Sequence, residues 1–344
     1  MLTIRSLVVL GLLWATADAS PQNRKKGGNN RAKTAQQQAA AIPQGVSQAT
    51  DGSMILDTTV NINNLPIRFR ISGPAAGFTA ESGVPGGAAA AGTPGTMGLN
   101  VLLHGDGGQS FFDFPNQAVQ NNLMGVAVLA PNKNLFWGGG SGLQRTDGVA
   151  HAQAVSDLVT KVLPGVAAFN ASDVSFTGVS GGSLLLSGFF VPAHAAQFQG
   201  SSGGVLLNCG ALAPQVPVAA ADAAAIAKTR IHFQSTQQEL TSLQPAIPKA
   251  LAAYEKLAAG AGLDAAAIGA LQTVDNSPDG GHCAFDGKDF VSGVQLMADS
   301  FSAIMQQGGN GQLAGKNVLN PVVGNEQLSF KAGNRRSMAT ALRV

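Results

Sequence analysis

The stretch SDVSFTGVSGGSLLLSGFF, residues 172–190, carries a Gly-x-Ser-x-Gly pattern centred on Ser180. The residues DVSFT before the pattern predict a β-strand, and the residues from Gly181 onward predict a helix. A serine on a sharp turn between a strand and a helix exposes its hydroxyl at the edge of a sheet, where a nucleophile can act. Gly178 and Gly182 suit such a turn, because helix and strand pack there too closely for a Cβ.

A second match to the same pattern occupies residues 200–204. The expected order is reversed at this place, with a helix first, then a loop, and then the strand GVLLNC. Ser202 would therefore lie at the amino end of a strand. Active sites of parallel sheets lie beyond the carboxyl ends of the strands. The sequence thus favours Ser180 as a nucleophile and Ser202 as a loop residue.

Short apolar strands alternate with helical segments along the rest of the chain. Strands are predicted at 53–62, 66–72, 98–105, 125–131, 173–178, 203–210, 230–235 and 270–276. Helices are predicted after Pro115 and at 148–163, 182–198, 222–229, 245–262 and 287–306, and a long loop at 74–98. Alternation of this kind, with nearly continuous apolar strands, predicts an α/β fold: a mostly parallel central sheet with helices on both faces.

Both ends of the chain are predicted to lie outside this domain, which we place at 46–306. Residues 1–19 are typical of a signal peptide, with Arg5 before a short apolar run and alanines at the positions that signal peptidase reads. Residues 20–45 are polar and contain five basic side chains and no acid, which predicts a disordered linker. Lys25-Lys26 is a candidate cleavage site in this linker. Residues 307–344 are predicted to form a loosely packed tail.

The charge of the chain is divided unequally between its ends and its body. The formal net charge is +2, yet residues 46–330 carry 11 basic and 18 acidic side chains, a net charge of −7. An acidic body disfavours polyanionic partners such as nucleic acids and favours neutral substrates. No later apolar run approaches the length of about 18 residues that a membrane span needs, so no stable membrane insertion is expected.

Cys209 and Cys283 are the two cysteines of the chain. Two thiols in an oxidising compartment usually pair, so a Cys209–Cys283 disulfide is expected. Asn170-Ala171-Ser172 is an acceptor for N-glycosylation, which predicts a surface turn at Asn170. These features and the predicted signal peptide together predict a secreted, extracellular glycoprotein.

Acyl transfer at Ser180 would require two backbone N–H groups directed at the developing oxyanion. Gly181 can supply one of them, because it opens a helix directly after the serine. The second is expected from the loop after the strand at 98–105, where the chain reads HGDGG at residues 104–108. That loop makes the amide of Asp106 the candidate for the second donor.

The motifs HGDGG, GVSGG at 178–182 and GGHCAF at 280–285 follow one another in the order found in α/β-hydrolases. The chain resembles this superfamily over about residues 53–305. It is most similar to secreted esterases of the polyhydroxybutyrate-depolymerase and feruloyl-esterase group, which also have a tryptophan-glycine loop like FWGGG at 136–140. The resemblance implies a Ser–acid–His triad that hydrolyses carboxylic esters through an acyl-enzyme, with no metal and no cofactor. Neutral esters or polyesters, including those of plant cell walls or polymers, are the substrates it implies.

Carried over by motif, the resemblance makes Ser180 the nucleophile, His282 the general base, and the amides of Gly181 and Asp106 the oxyanion hole. Of the five histidines, His282 is the one in a late glycine-rich loop after the last predicted strand. His104 belongs to the HGDGG loop, and His151 lies on the apolar face of a predicted helix. Neither position suits a base that must reach Ser180.

The acid of the triad is the position at which the sequence departs from the family. Gln238 stands where the family places an Asp, and Glu239 follows it. Glu239 is the favoured acid, because a longer carboxylate can also orient an imidazole. Asp275 and Asp279 are alternatives close to His282 in sequence. A chain in which no carboxylate reaches His282 would be a non-catalytic secreted binding protein with the hydrolase fold.

Overall fold

A nine-stranded sheet forms the centre of the computed structural model, which describes residues 41–108, 110–111, 122–198, 203–305 and 328–331. The strands are β1 (Gly45–Gln48), β2 (Met54–Ile62), β3 (Leu65–Gly73), β4 (Gly98–Leu103), β5 (Leu123–Leu129), β6 (Val174–Val179), β7 (Gly204–Asn208), β8 (Arg230–Gln234) and β9 (Gln272–Asp275). Their spatial order is β1-β2-β3-β5-β4-β6-β7-β8-β9. The pairs from β5 to β9 are parallel, and β1, β2 and β3 add an antiparallel edge. The predicted α/β class with a mostly parallel sheet is confirmed.

The antiparallel edge contains one strand that the sequence did not predict. β2 and β3 form the expected hairpin through Asn63 and Asn64, whose φ angles of 52° and 65° suit the tight turn between two twisted strands. β1 pairs with β2 and begins at Gly45. The predicted disordered linker, 20–45, is therefore too long at its carboxyl end. All four residues of β1 are exposed, so this strand leaves no apolar pattern in the sequence.

The helices that flank the sheet are α1 (Gly148–Asp157), α2 (Leu163–Val166), α3 (Gly181–Leu185), α4 (Val191–His194), α5 (Ala220–Ile226), α6 (Ala246–Gly260), α7 (Ala265–Leu271), α8 (Phe290–Asp299) and α9 (Phe301–Met305). A π-helical turn at Leu158–Val162 joins α1 to α2, and a second at Leu186–Phe190 joins α3 to α4. Pro164 thus does not end its helix as its position in the sequence suggests. It lies in the first turn of α2, directly after the π-helical turn that joins this helix to α1.

The parallel strands supply a rigid base for the loops at their carboxyl ends. Every residue of β6 and β7 is buried, as expected for strands covered on both faces. The carboxyl ends of β4, β6, β7, β8 and β9 all lie at one edge of the sheet, because these strands are parallel. The segments that leave this edge contain His104, Ser180, Cys209, Glu239 and His282.

The described part of the carboxyl-terminal region is attached to the body of the protein. Asn276 Nδ2 donates to Ser329 O at 2.7 Å, and the Lys331 amide donates to Gln237 O at 2.7 Å. Lys331 Nζ also lies 2.8 Å from Asp279 Oδ2. The prediction of a loosely packed tail at 307–344 is therefore wrong for residues 328–331.

Several predictions fall on residues that the structure does not describe. They are the signal peptide at 1–19, the linker up to residue 40, the helix after Pro115, the position of Ser202, and the tail apart from 328–331. Among the residues that are described, no helix combines the length and the apolar character needed to traverse a bilayer.

Two histidines are buried in the sheet region with both ring nitrogens paired. His232 in β8 contacts Thr273 Oγ1 at 2.9 Å through Nδ1 and Gln234 Oε1 at 3.2 Å through Nε2. His104 contacts Gly105 O at 2.6 Å and accepts the amide of Ala130 at 2.9 Å. Burial lowers the pKa of each histidine to about 4, so both rings are neutral in the folded protein at neutral pH.

These two histidines are expected to make the protein less stable as the pH falls from about 6.5 to about 4. In that window the unfolded chain binds protons at both rings and the folded chain does not, so acid favours unfolding. The loss is on the order of 3 kcal/mol per histidine at the acidic end. Urea denaturation at pH 7.0, 5.5 and 4.5 measures it. His232→Gln should reduce the slope of unfolding free energy against pH by about one proton, and an unchanged slope would contradict the assignment.

Candidate active site

Ser180 lies on a sharp turn between β6 and α3. Its φ of 50° and ψ of −111° place a non-glycine residue in a strained backbone conformation, of the kind found at catalytic turns. The Ser180 amide donates to Asn208 O at 2.8 Å, which fixes the turn to the end of β7. Its carbonyl accepts the amide of Leu184 at 3.0 Å, so the serine also begins the helix.

The glycines on either side of Ser180 are required by close packing. A Cβ on Gly178 would lie 2.5 Å from the amide nitrogen of Ser183. A Cβ on Gly182 would lie 2.2 Å from the carbonyl oxygen of Leu103, at the end of β4. Both contacts are with main-chain atoms that cannot move aside, which explains the spacing of the Gly-x-Ser-x-Gly pattern.

The imidazole of His282 lies between Ser180 and Glu239. His282 follows β9 in a loop, and its Nε2 is 2.9 Å from Ser180 Oγ. Its Nδ1 is 2.5 Å from Glu239 Oε1. The His282 side chain is 20% exposed and the Glu239 side chain is fully buried. The three side chains thus form one hydrogen-bonded chain, with the serine at its solvent-facing end.

Glu239 reaches His282 from the loop after β8. Its Oε1 also accepts the amide of Leu240 at 2.7 Å, which holds the carboxylate against its own main chain. Oε2 is buried without a hydrogen-bond partner in the described residues. The neighbouring Gln238 is directed away and donates to Asp279 Oδ1 at 2.8 Å.

The two alternative acids do not meet the imidazole. Asp275 accepts the amide of Ser277 at 2.8 Å and contacts Gln234 Nε2 at 3.3 Å. Asp279 is exposed and pairs with Lys331, an interaction that lowers the pKa of the Asp279 carboxyl. Of the three carboxylates considered from the sequence, Glu239 is the one that the structure places in contact with His282.

The main chains of Asp106 and Gly181 face each other beside the serine turn. A Cβ built on Gly181 would lie 3.2 Å from the Asp106 amide nitrogen and 2.0 Å from Asp106 Oδ1. Within the described residues, neither amide has a hydrogen-bond acceptor. Two neighbouring N–H groups without acceptors can both bind one oxygen atom of a ligand.

The order of the site residues along the chain is now clear: a serine after β6, an acid after β8 and a histidine after β9, all at the carboxyl edge of a mixed sheet. This order, with the serine on a strand–helix turn and an amide donor from the loop after β4, defines one known architecture. The chain has the α/β-hydrolase fold.

Known proteins resemble this chain in structure and not in sequence. No protein-family model matches the chain, and no curated protein sequence matches it. A thermostable esterase superimposes with a TM-score of 0.47 at 14% identity, over 74% of this chain and 63% of its own length. A fungal esterase from Rhizomucor miehei gives 0.44 at 13% identity over 78% and 88%, and a ferulic acid esterase 0.42 at 12% identity over 72% and 95%.

A cluster of rings supports the loop that contains Asp106. The His104 ring, fixed between Gly105 O and the Ala130 amide, lies 5.5 Å from the Trp137 ring. Trp137 in turn meets His151 edge to face at 6.1 Å, and His151 Nδ1 accepts the amide of Gly138 at 2.9 Å. The HGDGG loop and the FWGGG loop are therefore held together by the buried rings of His104, Trp137 and His151. His151 is a core histidine, as expected.

Arg145 is the residue of the site that the sequence did not reveal. Its Nη1 and Nη2 bind the two oxygens of Asp106 at 2.8 and 2.7 Å, and Nη1 also donates to Trp137 O at 3.0 Å. The Arg145 side chain is 1% exposed and the Asp106 side chain 25%. An arginine 39 residues away in a glycine-rich loop gives no sequence signal of this contact.

The Cys209–Cys283 disulfide is present, as expected, with the two Cα atoms 5.1 Å apart. Cys209 directly follows β7 and Cys283 directly follows His282, and both are fully buried. The two sulfurs and a ring nitrogen of His282 lie within 4.8 Å of one another. Since the sulfurs are bonded to each other, they are not metal ligands here, and the bond instead attaches the His282 loop to the sheet.

Removal of this disulfide in a Cys209→Ala, Cys283→Ala variant should weaken both stability and activity. The bond closes a segment of 74 residues, for which loss of the cross-link lowers the free energy of unfolding by about 4 kcal/mol. A freed His282 loop should lower kcat for an ester on the order of 10-fold to 100-fold. Urea denaturation and steady-state kinetics measure the two effects. An unaltered kcat would show that the bond does not hold the histidine.

The predicted glycosylation acceptor lies in a turn. Asn170 is half-buried, its amide donates to Met97 O at 2.7 Å, and its Oδ1 accepts the amide of Ser172 at 3.0 Å. Residues 171 and 172 are exposed. Glycosylation of Asn170 remains a prediction.

Proposed function

We propose that this protein is a serine hydrolase that cleaves carboxylic esters through an acyl-enzyme on Ser180. The hydrogen-bonded chain from Ser180 through His282 to Glu239 is the observation that carries the proposal. A serine hydroxyl is a weak nucleophile unless a base within about 3 Å removes its proton. The His282 Nε2 at 2.9 Å meets that requirement.

In the proposed reaction, Ser180 Oγ attacks the ester carbonyl and its proton passes to His282 Nε2. Glu239 accepts the hydrogen of Nδ1, which keeps Nε2 available as the acceptor and stabilises the imidazolium that forms. The amides of Asp106 and Gly181 bind the oxyanion of the tetrahedral intermediate. His282 then returns its proton to the departing alcohol, and the acyl group remains on Ser180.

In the second half, water takes the place of the alcohol. His282 removes a proton from the water, hydroxide adds to the acyl carbonyl, and the same two amides bind the oxyanion. Collapse of this intermediate breaks the bond to Ser180 Oγ, which regains its proton from His282. The carboxylic acid leaves, and the site returns to its starting state.

The rival function is a secreted binding protein that has kept the fold and lost the chemistry. The reason for that alternative was Gln238 at the family's Asp position. The contact of Glu239 with His282 supplies an acid at the neighbouring residue and so favours the enzyme.

The substrate class that we propose is neutral esters, including polyesters and cell-wall esters. The net charge of −7 on residues 46–330 disfavours anionic substrates. A polyanionic ligand would have to approach against this net negative charge.

A panel of p-nitrophenyl esters of increasing acyl length, with feruloyl and polyester substrates, tests the function. The wild-type protein should hydrolyse members of the panel, and Ser180→Ala should lower kcat/KM on the order of 10⁵-fold. Ser202→Ala, in the second Gly-x-Ser-x-Gly pattern, is the matched control and should retain full activity. Unchanged hydrolysis by Ser180→Ala would contradict the proposed function. A folded wild-type protein that hydrolyses nothing in the panel would favour the binding protein.

We also propose that the protein is secreted and glycosylated at Asn170. The disulfide supports this location, because such bonds persist in oxidising compartments. Expression of the full chain in a eukaryotic secretory host should release a protein whose amino terminus is Ser20. Deglycosylation should reduce its mass, and Asn170→Gln should abolish that change. Retention of the full-length chain inside the cells would contradict secretion.

A further inference from the structure

Asp106 brings a negative charge to the place where the proposed mechanism develops another one. The carboxylate oxygen Oδ1 occupies the space in which a Cβ on Gly181 would lie, 2.0 Å from that position. The side chain therefore covers the same main-chain segment whose amide is proposed to bind the oxyanion. An unpaired carboxylate there would oppose the oxyanion, since like charges repel strongly at short range in a partly buried site.

The positive charge of Arg145 offsets the negative charge of Asp106. Its guanidinium donates one hydrogen bond to each carboxylate oxygen of Asp106, at 2.8 and 2.7 Å, in a bidentate contact. Such paired contacts fix direction as well as distance. A third hydrogen bond to Trp137 O fixes the guanidinium itself, and only 1% of the Arg145 side chain is exposed.

The glycines of the FWGGG motif allow the chain to pack closely against Arg145. Gly138, Gly139 and Gly140 have φ angles of 74°, 63° and 65°, a run of left-handed residues that disfavours any other residue type. A Cβ on Gly138 would lie 2.8 Å from the Cβ of Arg145. A Cβ on Gly140 would lie 2.2 Å from the carbonyl oxygen of Gln144, next to the arginine. The motif thus wraps the chain closely around Arg145.

From this arrangement we infer that Arg145 is a positioning residue for the oxyanion site, where it holds Asp106 in place and neutralises its carboxylate. The inference rests on the proposed function. Arg145 does not touch the reacting atoms; it acts through Asp106. Its effect should fall on transition-state stabilisation, so kcat should change and KM should not.

Arg145→Gln tests the inference, because glutamine can still contact Asp106 but leaves its charge unopposed. We expect kcat for a p-nitrophenyl ester to fall on the order of 30-fold, with KM within about twofold of the wild-type value. Arg145→Lys keeps the charge but not the bidentate contact, so its kcat should lie between those of wild type and Arg145→Gln. Adding Asp106→Asn to Arg145→Gln should restore about tenfold of the loss, because the unopposed carboxylate is gone.

Arg230→Gln is the matched control. Arg230 is a half-buried arginine at the amino end of β8, the opposite edge of the sheet, where Nε donates to Ile304 O at 2.6 Å. It should lose stability and retain kcat. A purely structural role of Arg145 predicts the same behaviour for Arg145→Gln, which would then lose stability and retain kcat.

A kcat of Arg145→Gln within twofold of wild type overturns the inference. A lower kcat that is not raised again by adding Asp106→Asn overturns it as well. If Arg145→Gln does not fold, Arg145→Lys decides, and a kcat equal to wild type overturns the inference. If the wild-type protein hydrolyses no ester and a fluorophosphonate does not modify Ser180, the proposed function fails and this inference fails with it. An active wild-type protein with an unaffected Arg145→Gln variant refutes the inference alone.

Discussion

Replacement of His282 by alanine is expected to lower kcat/KM for ester hydrolysis on the order of 10⁵-fold or more. Among the described residues, the His282 Nε2 at 2.9 Å is the basic group in contact with Ser180 Oγ, so its removal takes away the group that accepts the proton. Steady-state kinetics with the best p-nitrophenyl ester measures the loss. The residual rate should equal that of Ser180→Ala, because the two residues act as one unit.

His194→Gln is the control for this experiment. His194 is buried in α4 and contacts Gln197 Nε2 at 3.1 Å, in a polar group that has no part in the proposed chemistry. Its replacement should leave kcat within about twofold of wild type. A His282→Ala variant that keeps a tenth or more of the activity would show that another group activates Ser180.

Glu239→Gln is expected to lower kcat on the order of 10³-fold to 10⁴-fold with the fold intact. Glutamine has nearly the shape of glutamate, but it can present an N–H to His282 Nδ1 and so favour the wrong tautomer. Glu239→Asp should lose less than Glu239→Gln, since the charge remains while the shorter arm leaves a gap. Kinetics of both variants, with circular dichroism to verify folding, gives the comparison.

Asp275→Asn and Asp279→Asn separate Glu239 from the two alternative acids. Asp275 is occupied by Gln234 and the Ser277 amide, and Asp279 by Lys331 and Gln238. Both variants should therefore keep kcat within a few fold. A severe loss in either of them, together with an active Glu239→Gln, would assign the acid differently.

The sequence was informative where a residue is constrained by its neighbours along the chain. Ser180 could be chosen over Ser202 because the direction of the strand at 173–178 decides which edge of the sheet the turn occupies. Gly178 and Gly182 follow from the packing of that turn, and the structure shows the main-chain contacts that exclude a Cβ. The strands of the parallel core were predicted for the same reason, since strands covered on both faces are apolar throughout.

The sequence does not predict contacts between distant segments that leave no local pattern of residues. β1 has four exposed residues, so its pairing with β2 leaves no periodic signal. Residues 328–331 attach to the loops of Asn276 and Gln237 partly through the Ser329 carbonyl and the Lys331 amide, main-chain groups that any residue type would provide. Arg145 contacts Asp106 because both of their loops pack at Trp137, where Arg145 also donates to the Trp137 carbonyl. Glu239 lies between these cases, because its loop was predicted and its contact with His282 was not determined by spacing.

The site at which a fluorophosphonate reacts with the protein shows whether His282 activates Ser180. The reagent should form a single covalent adduct, found by mass spectrometry on the peptide that contains Ser180. Its formation should stop ester hydrolysis in proportion to labelling, and His282→Ala should react at least 100-fold more slowly. A protein that hydrolyses esters while Ser180 stays unmodified, or that becomes labelled at a different serine, would contradict the claim that His282 activates Ser180.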